Sequence, residues 1–175
     1  DHRDLHSFPT RRSSDLYDEA DQVIEDPGVV VHPTLGMENP WKYRNKAQVP
    51  VGSKHGRLFA GFYATGTHRI VDMDACLIQD GDNDHAIQTV KDIAQELGIS
   101  AYDEEKHKGL LRHIVVKKGF STGEIMIVLV TNGRDIPKQD AWVQLIREQV
   151  PNVASICQNM NTKRTNVIFG EETRV

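Results

Sequence analysis

Cysteine is scarce in this sequence. The 175 residues contain two, Cys76 and Cys157, far apart in the chain. That excludes a disulfide framework and falls short of the roughly four ligands a zinc or iron–sulfur site needs. With no signal-peptide pattern, two free thiols point to a reducing, cytoplasmic setting. No apolar run approaches the roughly 20 residues of a membrane helix, so no membrane partner is expected. Glycine-rich dinucleotide and phosphate-binding loops, His-Glu-x-x-His and Gly-x-Ser-x-Gly are all missing. The histidines are scattered, and His107 and His113, six apart, have no ligand spacing. What remains is an ordinary composition: 38% hydrophobic, 26% charged, net charge −4. One core-forming domain fits it.

Residues 1–16 lack an apolar period. The run His6-Ser-Phe-Pro-Thr-Arg-Arg-Ser-Ser-Asp-Leu16 resembles a translated sequencing adapter and is set aside as an artefact, disordered and outside the fold. An adapter there, and an end at Val175 directly after a strand-like run, lead to the expectation that the chain is an internal fragment. Residues 17–40 are acidic and rich in proline and glycine, with one apolar run at Val29–Val31, and read as a connector.

Beyond the connector, alternation and spacing predict strands at 43–51, 57–64 and 68–71. A helix follows, with Ala86, Ile87, Val90, Ile93, Ala94 and Leu97 on one stripe. Asn83 or Asp84 would cap its start and Gly98 its end. The second half repeats the grammar. A hairpin joins 110–118 to 124–131, and Ile125-Met-Ile-Val-Leu-Val130 is apolar on both faces, as a covered central strand would be. A helix from 138 to 150, with Ala141, Trp142, Leu145, Ile146 and Gln149 on its stripe, stops at Pro151. Strands are then predicted at 153–160 and 165–169. Hairpin–helix twice over gives an α+β fold, a mostly antiparallel sheet with two packed helices, over residues 41–169. Cys157 falls mid-strand without a histidine or acid beside it and reads as core. By its residues alone Cys76, in Val71-Asp-Met-Asp-Ala-Cys-Leu-Ile78, reads the same way.

Acidic residues are also unevenly missing. From Asn39 to Val71 there is none, while Lys42, Arg44, Lys46, Lys54, Arg57 and Arg69 interleave with aromatics such as Trp41, Tyr43 and Tyr63. Lys106 to Gly123 is a second acid-free window, containing Arg112, and Lys163-Arg164 a third cluster. Basic strands with aromatic neighbours suit RNA, cations meeting phosphates and rings stacking on unpaired bases. The plainer alternative is a set of solvated strand faces that do not converge.

Five ordered motifs carry a resemblance. Gly36-Met-Glu-Asn-Pro-Trp-Lys-Tyr-Arg-Asn-Lys-Ala-Gln-Val-Pro50, His68-Arg-Ile-Val-Asp-Met-Asp-Ala-Cys76, Gly109-Leu-Leu-Arg-His-Ile-Val115, Thr122-Gly-Glu-Ile-Met-Ile-Val128 and Gln158-Asn-Met-Asn-Thr-Lys-Arg-Thr-Asn166 resemble the central domain of bacterial 23S rRNA (uracil-5-)-methyltransferases. The resemblance runs from about Val29 to Val175. It implies a parent enzyme with an RNA-binding barrel, this central domain, and an S-adenosylmethionine-dependent methyltransferase domain whose beginning would be residues 170–175. It also implies a [4Fe–4S] cluster with three upstream cysteines and a fourth at Cys76, reversing the core reading of that residue. In the family's reaction a thiolate adds to carbon 6 of uracil, carbon 5 attacks the methyl sulfonium, and a base removes the carbon 5 proton. Those groups would all lie beyond Val175, so this chain alone is expected to methylate nothing. Its expected partner is 23S rRNA, met by Arg44, Lys46, Arg112, Lys163 and Arg164, and it is expected to be a monomer. The alternative is a stand-alone RNA-binding α+β module.

Overall fold

In the computed structural model, which describes residues 32, 33 and 35–175, the chain runs through nine elements within the unit Glu38–Val175. They are β1 (Lys46–Lys54), β2 (Arg57–Tyr63), β3 (Ile70–Asp72), α1 (Gly81–Leu97), β4 (Leu111–Lys118), β5 (Ile125–Thr131), α2 (Gln139–Gln149), β6 (Val153–Met160) and β7 (Glu172–Arg174). The seven strands form one sheet in the order β3-β2-β1-β4-β5-β6-β7. Only β5 and β6 are parallel. They are joined through α2, as a parallel pair requires a crossover. The other five pairings are antiparallel, so the fold is α+β. The adapter-like segment and the run Val29–Val31 lie outside the described residues.

Strand alternation divides the sheet into two unlike faces. Ala47, Val49 and Val51 of β1, Leu58 and Ala60 of β2, Ile114 and Val116 of β4, and Ile125, Ile127 and Leu129 of β5 pack into one cluster with both helices. Helix α1 contributes Ala86, Ile87, Val90, Ile93 and Ala94, and α2 contributes Trp142 and Ile146. Burying each of the larger of these side chains is worth about 1.5–3 kcal/mol, and this face holds most of the apolar burial. The alternate residues Val115, Val128, Val130 and Cys157 form a smaller cluster on the other face, with Ile168 packed on it. The run from Ile125 is thus covered on both sides, and Cys157 is core.

The helix ends show which side chains do the capping. Helix α1 begins one turn before the apolar stripe: Asp80, not Asn83 or Asp84, is its N-cap, its Oδ1 accepting the Asp82 N–H at 2.9 Å. Asp84 turns inward instead, its Oδ2 accepting the Cys76 N–H at 3.1 Å and its Oδ1 the Gln79 side-chain amide at 2.5 Å. Gly98 closes the helix at φ 73°, a left-handed conformation that costs glycine little. Helix α2 ends at Val150, before Pro151.

Residues 165–169, predicted as a strand, are irregular. Side chains take the backbone groups that a ladder would use. Asn161 Nδ2 donates to the carbonyls of Val167 and Ile168 at 2.7 and 3.1 Å, and Arg112 takes that of Thr165. Pairing with β6 is left to β7, whose Glu172 sits opposite Met160.

Candidate nucleic-acid interface

The sheet face away from the helices is where the sequence concentrates unpaired cations. On β1, Lys46 and Gln48 alternate with the core residues Ala47 and Val49, so they project to this second face; on β4, His113, Val115 and Lys117 do the same. Register sets Lys46 directly opposite Lys117, Gln48 opposite Val115 and Pro50 opposite His113. Two lysines so placed repel each other, and both are exposed. Among the described residues neither has a carboxylate within 4.0 Å. The next residue, Lys118, faces the other way and is neutralised. Its Nζ lies 2.6 Å from Asp82 Oδ2 and 3.0 Å from Asp80 Oδ1. Those two acids hold its pKa above the usual lysine value, Asp82 first.

Arg112 has a different role from the exposed cations. It is 4% exposed. Its Nη1 donates to the carbonyls of Asn161 and Lys163 at 2.7 and 2.8 Å, and its Nη2 to that of Thr165 at 3.2 Å. The guanidinium carbon sits 4.3 Å from the centroid of the Tyr102 ring. Arg112 therefore organises the segment that presents Lys163 and Arg164. Lys163 is exposed and pairs with Glu171 at 2.5 Å, which pulls the Glu171 carboxyl below its usual range. Arg164 is exposed, without a carboxylate partner among the described residues. The structure brings Arg112, Lys163 and Arg164 together. Arg44 is exposed two residues ahead of Lys46, its backbone N–H donating to the Ile78 carbonyl at 2.9 Å.

A buried amide network fixes the same segment. Asn159 Oδ1 accepts the Gly170 N–H at 2.7 Å, while Asn159 Nδ2 donates to the Gly170 carbonyl at 3.1 Å. A Cβ on Gly170 would lie 1.8 Å from the Met160 carbonyl oxygen, so the backbones meet too closely for any other residue. The motif Gln158-Asn-Met-Asn161 was legible as a string; that Asn159 and Asn161 tie down residues 161–170 was not. Their signal was Asn159 on the predicted strand and Asn161 just past its end.

Between this segment and the sheet lies a cavity of about 510 Å³, lined by Gln48, Tyr63, His68, Glu104, His113 and Asn166 among others. His68 Nδ1 and Glu104 Oε1 are 3.0 Å apart. The Tyr63 and His68 rings lie 5.8 Å apart, tilted by 41°. Burial, then the Glu104 charge, pushes the Tyr63 phenol above its usual pKa, with Arg112 acting the other way. Burial, then the Arg112 charge, pushes His113 down to about 4, so its imidazole is neutral at pH 7. Scattered histidines in the sequence gave no warning of this one.

Cys76 is half-buried, on the segment between β3 and α1. Among the described residues no three histidine, cysteine or acidic side chains converge as a metal site. One thiol does not fit a cluster held by this chain alone. At the turn after β5 the Gly133 carbonyl accepts from Thr131 Oγ1 and Gln158 Nε2, at 2.7 and 3.0 Å. No helix among the described residues is long and apolar enough to cross a membrane.

No family model matches the chain. Curated relatives do. It is 51% identical over 164 residues to an uncharacterized RNA methyltransferase of Halalkalibacterium halodurans, covering 94% of this chain and 36% of the relative. It is 55% identical over 147 residues to one of Bacillus cereus, covering 84% and 32%. A Staphylococcus aureus relative of the same description is 44% identical over 144 residues, covering 82% and 32%. The fold resembles the crystal structure of Pyrococcus abyssi tRNA (uracil-54, C5)-methyltransferase in complex with S-adenosyl-L-homocysteine, with a TM-score of 0.60 and 24% identity over 78% of this chain and 32% of that one. The chain spans about one third of the length of the proteins it matches, and over that span it belongs to the RNA methyltransferase family.

Proposed function

We propose that the chain is the RNA-contacting central portion of an S-adenosylmethionine-dependent methyltransferase acting on carbon 5 of uracil in 23S rRNA. The observation that carries the RNA reading is the cross-strand pair Lys46–Lys117, two exposed like charges with no carboxylate partner among the described residues. A fold stabilised by about 5–15 kcal/mol overall has no structural use for such a pair; a polyanion laid across it turns repulsion into attraction. Arg44 precedes Lys46, and Lys163 and Arg164 extend the basic surface from the segment held by Arg112. The rRNA assignment follows the sequence resemblance alone; the uracil-5 assignment follows it too and is supported by the fold shared with the tRNA enzyme.

In this reading residues 41–169 are the central domain and 170–175 lead toward the catalytic domain, which carries S-adenosylmethionine, the donor of the methyl group. Cys76 supplies one thiolate to a [4Fe–4S] cluster completed by cysteines of the parent enzyme that this chain does not contain. The Asp84–Cys76 hydrogen bond, which fixes the backbone at that thiol, suits such a role. The protein works as a cytoplasmic monomer.

Anisotropy titration of a fluorescent RNA stem–loop against salt tests the RNA reading. Binding should weaken with salt, and the double variant Lys46→Ala/Lys117→Ala should flatten the log–log slope by about 0.7 for each phosphate no longer neutralised. Salt-insensitive binding, or an unchanged slope in the double variant, would refute it. The same chain incubated with S-adenosylmethionine and RNA should transfer no methyl group.

A further inference from the structure

We infer that the cavity on the second face, between the sheet and the segment after β6, receives one unpaired nucleobase of the RNA other than the base to be methylated. The inference rests on the RNA reading above and adds a site to it. At about 510 Å³ the cavity has room for a nucleoside. One wall offers a ring: Tyr63, 46% exposed, with His68 tilted beside it. Also lining it, Gln48 and Asn166 supply amides, and Glu104, paired with His68, supplies a carboxylate whose remaining lone pairs can accept from the N–H edge of a base.

The charge pattern decides what enters. Glu104 inside the cavity repels a phosphate, and Arg112 already commits its outer nitrogens to three backbone carbonyls. The free cations stand outside. Arg69 is flanked by the lining residues His68 and Ile70, and Arg164 precedes the lining residues Thr165 and Asn166. Both are exposed, and neither has a carboxylate partner among the described residues. A neutral, flat, hydrogen-bonding group inside, with anionic groups on either side, is a nucleotide of a single strand. A free mononucleotide shares this chemistry, so the two sources must be separated by experiment.

The test titrates the 175-residue chain with a stem–loop RNA, the same RNA with abasic loop positions, a fully paired duplex, and AMP and GMP. Tyr63→Ala should weaken stem–loop binding about tenfold with the salt slope unchanged, and Tyr63→Phe should stay within about twofold of the parent. The abasic RNA should lose about the same factor against the parent chain and nothing further against Tyr63→Ala. Duplex binding should be indifferent to the substitution. Stem–loop binding within about twofold of the parent in Tyr63→Ala, or no loss with the abasic RNA, overturns the pocket while leaving the RNA reading standing. If Tyr63→Ala lowers the melting temperature, the abasic RNA on the parent chain decides alone. AMP or GMP binding as tightly as the stem–loop overturns RNA as the source. A parent chain that binds none of the RNAs overturns both readings.

Discussion

Lys117 and Lys118 are neighbours in sequence with opposite circumstances. Lys118 points to the helix side of the sheet and is held by Asp80 and Asp82 at the start of α1. Lys117 points to the other side and meets Lys46. The same contrast runs through the whole sheet. One face is sealed by two helices over a large apolar cluster, its charges paired at the margin. The other has a small apolar cluster, a buried arginine and amides pinning an irregular segment, and cations without carboxylate partners among the described residues. The helix face makes the fold stable; the second face gives up apolar burial to hold a particular surface in place.

That contrast can be broken first at adjacent residues of β5. Ile127→Ala, on the helix side and fully buried, should cost about 3–4 kcal/mol in urea unfolding. Val128→Ala, on the other side, should cost about 1–2 kcal/mol. Equal costs would mean that the second face carries as much of the stability as the first.

Arg112→Met should be next in size, about 3 kcal/mol, because three backbone carbonyls lose charge-assisted donors. Limited proteolysis should then cut between residues 161 and 170 before anywhere on the helix side. A variant with parent-like protection there would show that the amides of Asn159 and Asn161 hold the segment alone.

His113 sharpens the comparison through pH. Its folded pKa of about 4 lies below the unfolded value near 6.5, so the unfolded chain takes up the proton first. The penalty is absent above pH 6.5 and grows as pH falls toward 4, reaching about 3 kcal/mol. Unfolding free energies measured across that window should slope less in His113→Gln, while values near neutral pH serve as the reference for each protein.

The smallest stability effects belong to the paired lysines. Lys118→Ala should lose about 1 kcal/mol, and less in high salt. Lys117→Ala should leave stability within about 0.5 kcal/mol, while lowering RNA affinity and flattening its salt dependence. A reversal of the two lysines would undo the assignment of roles to faces.

Much of the fold was legible in the sequence because local patterning and burial agreed. β6 at Val153–Met160 and the end of α1 at Gly98 fall where alternation, helical stripe and glycine placed them. Where local pattern failed, a long-range partner had intervened. Residues 165–169 alternate like a strand, but Asn161 and Arg112 take their carbonyls. Asp80 outcompeted Asn83 and Asp84 as the cap because Asp84 is drawn inward by Cys76 and Gln79. The cations that could meet RNA were legible as acid-free windows. Which of them are free was not, since pairing depends on which face each strand residue reaches and on acids distant in sequence.

The sequence by itself determined the α+β class, the positions of most elements, the family resemblance and the excess of cations in three stretches. The class, the element positions and the cation excess follow from periodicity, turn chemistry and composition, and the resemblance from five ordered motifs, all local along the chain. The tertiary structure decided that Lys46 stands against Lys117, that Lys118 is neutralised, that Arg112 is a buried organiser, and that His113 stays neutral beside a cavity. Each of these depends on register and on partners distant in sequence, 53 residues apart for Arg112 and Thr165 and farther still for Lys46 and Lys117, which no local pattern encodes.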